Sequence, residues 1–463
     1  MISTDAFLIC QTHERVSPVV IDRKETFLKS SGKIADPESQ SPGVSRPELL
    51  APGGSLEKCV VAFLYGADAV YAGTRRYTLR AQAGNLGWEE LAAARHQARL
   101  WKRKLYVTVN SFARQEEIRS LPAFLEYLQE IEVDGIILSD PGVLRLAARW
   151  APQVPIHLST QANTTNAESV RFWADRGVKR INLARELCFE EIRDIRSWVS
   201  TELEIFVHGA MCISYSGRCL LSAALNGRSA NSGTCTQPCR WSYRLVEEKR
   251  PGEYFPIWED SGGSYIFNSR DLCLLGELGL LLPLGIDAFK VEGRMKGMLY
   301  LATVVRAYRA VMDRWARGCA LGPAEAEGLE DLGRVSHRPY TRGFLFPSKG
   351  PEDAKSAPEV TYLQTHALAG IVRPSPHGYW EEPVGPGDPD SSHIIYLEVR
   401  NRLTPGTTLE FLFPDGSIRA HRLESFEDCR GARRDVAHAG TWIRFPVPFP
   451  TFPLQVVRME LNS

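Results

Sequence analysis

Excess charge of either sign is missing from this sequence: Lys and Arg number 55, Asp and Glu number 55, and the formal net charge is zero. No global field draws the chain onto a nucleic acid or an anionic membrane, so any RNA contact must use a local patch. Long apolar runs are missing as well. Nothing approaches the roughly 20 residues that span a bilayer, and the short AFLIC run at 6–10 follows an aspartate instead of basic residues, which speaks against a secretory signal. A reducing, cytoplasmic setting follows, in which clustered thiols read as metal ligands or catalytic groups before they read as disulfides. HExxH and GxSxG are absent, so the sequence carries neither a zinc-peptidase helix nor a serine-hydrolase elbow.

What is present is a repeating pattern. Residues 1–46, rich in Ser, Pro and charge, read as an extension outside the fold. From Pro47 onward a short apolar or β-branched run, a turn and an amphipathic stretch recur. Eight runs are counted: 48–52, 68–73, 105–110, 135–140, 156–160, 180–185, 204–209 and 288–294, with helices expected over Leu56–Tyr65, Trp88–Lys102, Leu121–Ile131, Gly142–Trp150, Ala167–Arg176 and Phe189–Trp198. Near-continuous apolar strands alternating with helices mean a parallel sheet covered on its faces. Eight such units over residues 47–319 predict a (β/α)8 TIM-like barrel. A Gly/Pro-punctuated connector follows at 320–358, and alternating segments with Pro-Gly and Asp-Gly turns over 359–463 predict a small C-terminal antiparallel β-barrel domain.

In such a barrel the chemistry sits where the strands end. The polar residues there are the candidates: His208, Glu292 and Arg294 for catalysis, and Asn110, Asp140, Gln161, Arg185, Glu186 and Lys296 for substrate binding. His208 is a possible general base or a rim histidine held by a hydrogen bond. The VEGRMKG segment, with Glu292, Arg294 and Lys296, offers cations to a carboxylate or phosphate. The two-glycine turn in LLAPGGSLEK more often turns a strand into a helix than cradles a phosphate.

Cysteine is the most informative residue. Cys212, Cys219, Cys235 and Cys239 fall within 28 residues and Cys273 follows, all within a cysteine-rich insertion over 208–273 between the seventh and eighth strands. Their gaps are six, fifteen, three and thirty-three residues, with no CxxC knuckle of the zinc-ribbon kind. Wide spacing, with Gly, Ser and Pro238 letting the backbone wrap closely, suits an iron–sulfur cluster better than zinc; buried free thiols are the third reading. Cys10, Cys59, Cys188, Cys319 and Cys429 stand singly and read as packing.

Taken together, the segments ELLAPGGSLEKCVVAFLYGADAVYAG, IHLSTQAN, FVHGAMCISYSGRCLLS, GTCTQPCRW, NSRDLC and FKVEGRMKG resemble the collagenase-like peptidase family, the peptidases of unassigned mechanism numbered family 32. The resemblance spans roughly Pro47 to the end, and HGAMC-x6-C followed by GTC-x-QPCR is its most specific part. Within the family the sequence looks most like members that modify tRNA. The resemblance implies oxygen insertion at carbon 5 of the wobble uridine, with prephenate as co-substrate and a 4Fe-4S cluster. It further implies that Cys212, Cys219 and Cys235 are ligands and that the fourth is either Cys239 or Cys273. Hydroxylation of another RNA or of a small aromatic or quinone substrate is the alternative, followed by a peptidase using His208 with Cys212. Trp241, Tyr243, Tyr254 and Arg342 are further plausible contacts to a flipped base, or aromatic and ionic packing.

Overall fold

The structure is a computed structural model that describes residues 46–78, 84–211, 270–346, 362–373 and 393–461, together with positions 222, 226, 228 and 235–238. Eight strands run parallel: β1 (Glu48–Gly53), β2 (Ala69–Gly73), β3 (Lys104–Val109), β4 (Gly135–Leu138), β5 (Ile156–Leu158), β6 (Val178–Asn182), β7 (Glu202–Ala210) and β9 (Ala288–Val291). β1 pairs with β2 on one side and β9 on the other, and β9 pairs back onto β7, so the sheet closes into a barrel. All eight sequence-predicted strands are in it.

Helices α1 (Leu56–Leu64), α2 (Trp88–Leu100), α3 (Gln115–Glu130), α4 (Pro141–Trp150), α5 (Ala167–Ala174) and α6 (Phe189–Trp198) follow β1 to β6 in turn, and α7 (Met298–Ala316) follows β9. α3 starts six residues before the expected Leu121. The Glu117 carboxylate accepts the Arg114 N–H at 2.6 Å and caps the first turn, and Pro122 is carried inside the helix. The connector holds a further helix, α8 (Gly322–Arg334), which its Gly and Pro content had hidden. Gly328 packs so tightly that a Cβ there would lie 2.6 Å from the Leu275 side chain.

Strand alternation fills the barrel with an apolar cluster of Leu50, Ala69, Tyr71, Tyr106 and Ile137, surrounded by charge. Burial works to raise the Glu48 carboxyl, but Arg180 at 2.6 Å and Lys104 at 2.8 Å more than offset it and hold it below the usual range. Arg180 also pairs with Glu202 at 2.8 Å. His157 is buried edge-on to Tyr106, with ring centroids 4.5 Å apart. Burial, then Arg180 and Lys290, push its imidazole well below the ordinary 6.5.

Two short strands extend the rim. β8 (Asp271–Cys273) runs antiparallel to the end of β7, and β10 (Tyr340–Thr341) pairs with β8. The buried Arg338 guanidinium donates to Asp271 Oδ1 at 2.6 and 3.1 Å, which pins the connector to the rim.

The C-terminal domain is an eight-stranded antiparallel sheet of β11 (His366–Arg373), β12 (His393–Val399), β13 (Thr408–Leu412), β14 (Ile418–Arg422), β15 (Phe426–Asp428), β16 (Arg433–Arg434), β17 (Trp442–Val447) and β18 (Val456–Glu460). Its order is β14-β13-β18-β11-β12-β17-β15-β16, around a core that includes Leu397, Phe411, Phe426 and Phe445. It docks on the barrel through Asp331 of α8, which takes Arg306 of α7 at 2.5 Å and Arg458 of β18 at 2.6 Å. Tyr65, at the end of α1, donates to the Leu412 carbonyl and accepts the Val456 N–H.

Asp331→Leu leaves two buried guanidiniums without their shared carboxylate and is expected to cost about 3–5 kcal/mol; urea unfolding measures it, and a cost under about 1 kcal/mol contradicts the clamp. The His157 shift has a sign. Between its depressed folded value and 6.5 the unfolded chain binds the proton and the folded chain does not, so stability present above 6.5 is lost as pH falls. His157→Gln is expected to shrink that acid-side loss by about one proton in urea titrations between pH 7.5 and 5; an unchanged slope rejects the assignment.

Candidate active site

The strand ends surround a pocket of about 430 Å³ that is open on its solvent side. Its neutral wall comes from β3, β5 and β6. Asn110 Nδ2 lies 3.3 Å from both Ser159 Oγ and Gln161 Oε1, and Ser159 in turn bonds to Gln161. Asn182 closes the floor beside Lys290.

The charged wall comes from β7, β9 and the turns after β6 and β9. Arg294 is buried and donates to Thr78 Oγ1 at 2.6 Å, to Thr108 Oγ1 at 3.3 Å and to Asn85. Gly73 permits this seat, because a Cβ there would stand 2.5 Å from Thr108 Oγ1 and 2.8 Å from an Arg294 nitrogen. Arg185 stacks its guanidinium 3.7 Å over Phe206, donates to the Ala210 carbonyl at 2.8 Å and stands 3.9 Å from Glu292. Lys290 donates to Glu204 at 2.7 Å and lies 4.6 Å from the centre of the Tyr71 ring. Gly209, at φ +107°, brings β7 and β9 together: a Cβ would fall 2.2 Å from the Glu292 carbonyl oxygen. Behind Arg185 and Phe206 lies a narrow apolar pocket, open to solvent, walled by Leu183, Ile205, Met211, Leu272 and Phe344.

Of the residues proposed from the sequence, Asn110, Gln161, Arg185, Glu292 and Arg294 line the mouth. Asp140 instead caps α4, accepting the N–H groups of Gly142 at 2.7 Å and Val143 at 3.0 Å. Glu186 is half-buried in the turn after β6, outside the described lining. Lys296 points to the connector side, donating to the Ser336 carbonyl at 3.0 Å, with Asp271 at 4.0 Å and the Tyr300 and Tyr362 ring centres at 5.2 and 5.3 Å. Arg342 pairs with Glu277 at 3.3 Å and borders the apolar pocket.

His208 is buried in a box of Tyr300, Tyr308 and Tyr340 rings, its Nδ1 3.3 Å from the Tyr308 hydroxyl. Burial pushes its imidazole down to about 3. It does not line the mouth. A register shift in β7 between Phe206 and His208 breaks the alternation that would have turned it there. Sequence reasoning missed Thr108, Ser159, Asn182 and Lys290; for Thr108 and Lys290 the available signal was a polar or charged residue within an apolar strand, two positions before the strand-end candidates Asn110 and Glu292, while Ser159 and Asn182 stand at the ends of β5 and β6.

Residues 54–355 match the profile of peptidase family U32, and residues 385–458 match that of the U32 C-terminal domain. The chain belongs to peptidase family U32. Among its relatives, "tRNA hydroxylation protein P1" of Bacillus subtilis is 35% identical over 418 residues, covering 90% of this chain and 92% of that protein. "tRNA hydroxylation protein P" of Escherichia coli is 35% identical over 444 residues, 87% of this chain and 94% of that protein. A 23S rRNA 5-hydroxycytidine synthase of Escherichia coli is 31% identical over 350 residues, 74% of this chain and 52% of that protein.

In this U32 chain Cys212, Cys219 and Cys239 lie outside the described residues, as do Trp241, Tyr243 and Tyr254. Cys235 and Cys273 are described. The Gln237 N–H donates to Cys235 Sγ at 3.3 Å, turned onto it by a left-handed Gln237 at φ 56°. A half-buried sulfur receiving a backbone N–H fits a ligated thiolate. Cys273 ends β8 opposite His208, and burial pushes its thiol up to about 11, with the Tyr308 hydroxyl beside it. As a free thiol it keeps its proton at neutral pH, and a metal would have to displace that proton.

Gly73→Ala is expected to push Arg294 from its seat at a cost of about 1–3 kcal/mol. Thermal unfolding beside Gly297→Ala, where a Cβ meets nothing within 4 Å, is the measurement; equal shifts for the two contradict the close approach.

Proposed function

We propose that this U32 chain is a cytoplasmic RNA-modifying enzyme that hydroxylates carbon 5 of the wobble uridine in tRNA. The observation that carries the reading is the mouth pocket, which joins neutral hydrogen-bonding groups, aromatic rings and three cations in a chain whose relatives bear the name of tRNA hydroxylation proteins. A base extruded from the anticodon stack needs such a pocket, with rings to stack on and partners for its edge. For peptide hydrolysis the described lining supplies no cysteine and no histidine to act as a general base.

Prephenate, a dicarboxylate, would be the co-substrate, drawing on Arg185 and Arg294 rather than on Lys296. Cys212, Cys219 and Cys235, with either Cys239 or Cys273, would hold a 4Fe-4S cluster. Bound there, a cluster supplies one-electron chemistry at the rim. The chain's own residues do the rest: Asn110, Ser159 and Gln161 orient polar groups, Arg294 fixes an anion, and the Phe206–Arg185 stack separates the mouth from the apolar pocket.

Mass spectrometry of tRNA nucleosides from a deletion strain tests the functional reading. The expected result is loss of 5-hydroxyuridine and its derivatives, restored by the gene; normal levels would sink it. Iron and sulfide counting on protein purified without oxygen tests the cluster. We expect four irons per chain, lost on Cys235→Ala and on only one of Cys239→Ala and Cys273→Ala. A zinc-loaded, iron-free protein rejects the cluster.

A further inference from the structure

The floor of the mouth carries an acceptor and a donor side by side whose orientations are fixed from below. Glu204 is buried beneath the pocket, and its Oε1 accepts Asn182 Nδ2 at 2.8 Å and Lys290 Nζ at 2.7 Å. A carboxylate accepts only, so it dictates which end of the Asn182 amide faces it. The amide nitrogen turns to Glu204 and the amide oxygen turns away. Asn182 is 1% exposed, and its Oδ1 has no hydrogen-bond partner among the described residues. Lys290 is 4% exposed and spends one of its three N–H donors on Glu204. Both side chains line the pocket.

A buried acceptor without a partner costs free energy on the order of a lost hydrogen bond, which a ligand donor would restore. The complementary ligand presents an N–H or O–H next to a carbonyl oxygen. Among nucleobases the imide edge of uracil does so, with N3–H beside a carbonyl on either side. Cytosine seated in the same register turns its N3 acceptor to Asn182 Oδ1 and its amino donor to the ammonium; its N4–H and N3 meet the pair only when the base is displaced by one position along its edge, which carries carbon 5 away from where uracil holds it. Adding a methyl at N3 of uracil removes the donor altogether.

We propose that Asn182 Oδ1 and Lys290 Nζ read the N3–H and an adjacent carbonyl of a flipped uracil, making the Asn182–Glu204–Lys290 group the device that selects uridine over cytidine. This rests on the reading of the chain as an RNA-modifying enzyme and adds to it the edge by which the base is recognised. Glu204 acts through the other two as a positioning residue. Tyr71 and Phe206, whose ring centres lie 4.6 and 5.5 Å from Lys290 Nζ, flank the same floor.

The test is fluorescence anisotropy of the full-length protein, purified without oxygen, on three anticodon stem-loops identical except for uridine, 3-methyluridine or cytidine at the wobble position. The wild-type protein is expected to bind the uridine loop at least about tenfold more tightly than the other two, since a site built around a buried hydrogen-bonding group rejects a ligand that leaves it unpaired. Asn182→Ala is expected to bring all three within about threefold of one another by weakening the uridine loop alone. Equal wild-type affinity for the uridine and 3-methyluridine loops overturns the assignment without any variant, so a poorly folded Asn182→Ala protein does not shield it. Retention of the wild-type ratio by a folded Asn182→Ala protein overturns it equally. Binding without discrimination removes only the Asn182 reading. Absence of binding to every loop, together with normal 5-hydroxyuridine in the deletion strain, removes the functional reading and this inference with it.

Discussion

One carboxylate oxygen inside the barrel, Glu204 Oε1, holds both the Lys290 ammonium and the Asn182 amide, and the geometry of the mouth depends on it. An unpaired charge at that depth would be prohibitive, so Lys290 and Glu204 need each other. Arg180 reaches toward the same carboxylate at 3.9 Å and is paired on its other side with Glu48 and Glu202. The interior is therefore a ladder of alternating charge surrounding one small apolar cluster. Such pairs add little stability compared with well-packed apolar side chains. What they do add is direction: each polar group above the ladder has its orientation set by the one below.

The barrel was legible in the sequence because burial on both faces of a parallel sheet leaves near-continuous apolar strands, and eight of them stand between recognisable helices. The site was legible only in part, for the same reason. When both faces of a strand are apolar, parity is hard to read. Lys290 and Asn182 belong to the strands themselves and lie inside the runs 288–294 and 180–185, whereas Glu292 and Arg185, two and three residues further on, stand in the turns that follow. His208 shows the converse failure: a strand-end position placed it at the rim, but the irregular register of β7 turned it into the Tyr300, Tyr308 and Tyr340 box. Asp140 has the composition of a binding residue and the geometry of a helix cap. A short polar residue before a Pro-initiated helix reads as a cap first.

The rim was harder still, because it is assembled from distant segments. β8 is three residues long and β10 two, and neither has enough sequence to show a period. Their pairing is fixed by the buried Arg338–Asp271 contact, made across 67 positions of the chain. Through it the connector holds the strand that ends in Cys273. The C-terminal sheet is held in turn by Asp331 between Arg306 and Arg458. Connector, rim strand and second domain are thus linked by buried guanidinium–carboxylate pairs, whose planar forks fix geometry as well as distance.

Charge returns at the end in a different form. The chain as a whole is neutral, with 55 residues of each sign, yet the described mouth carries Arg185, Lys290 and Arg294 against Glu292 and the underlying Glu204, three cations to two anions, a local excess of one. That excess is too small to gather RNA from a distance, and a neutral chain has no wider field to help it. Under the proposed function, discrimination rests on contacts made inside the pocket, where low dielectric and fixed orientation strengthen each hydrogen bond. A barrel interior built from oriented charges, under a mouth that is nearly neutral overall, is suited to reading a small polar edge rather than to holding a polyanion.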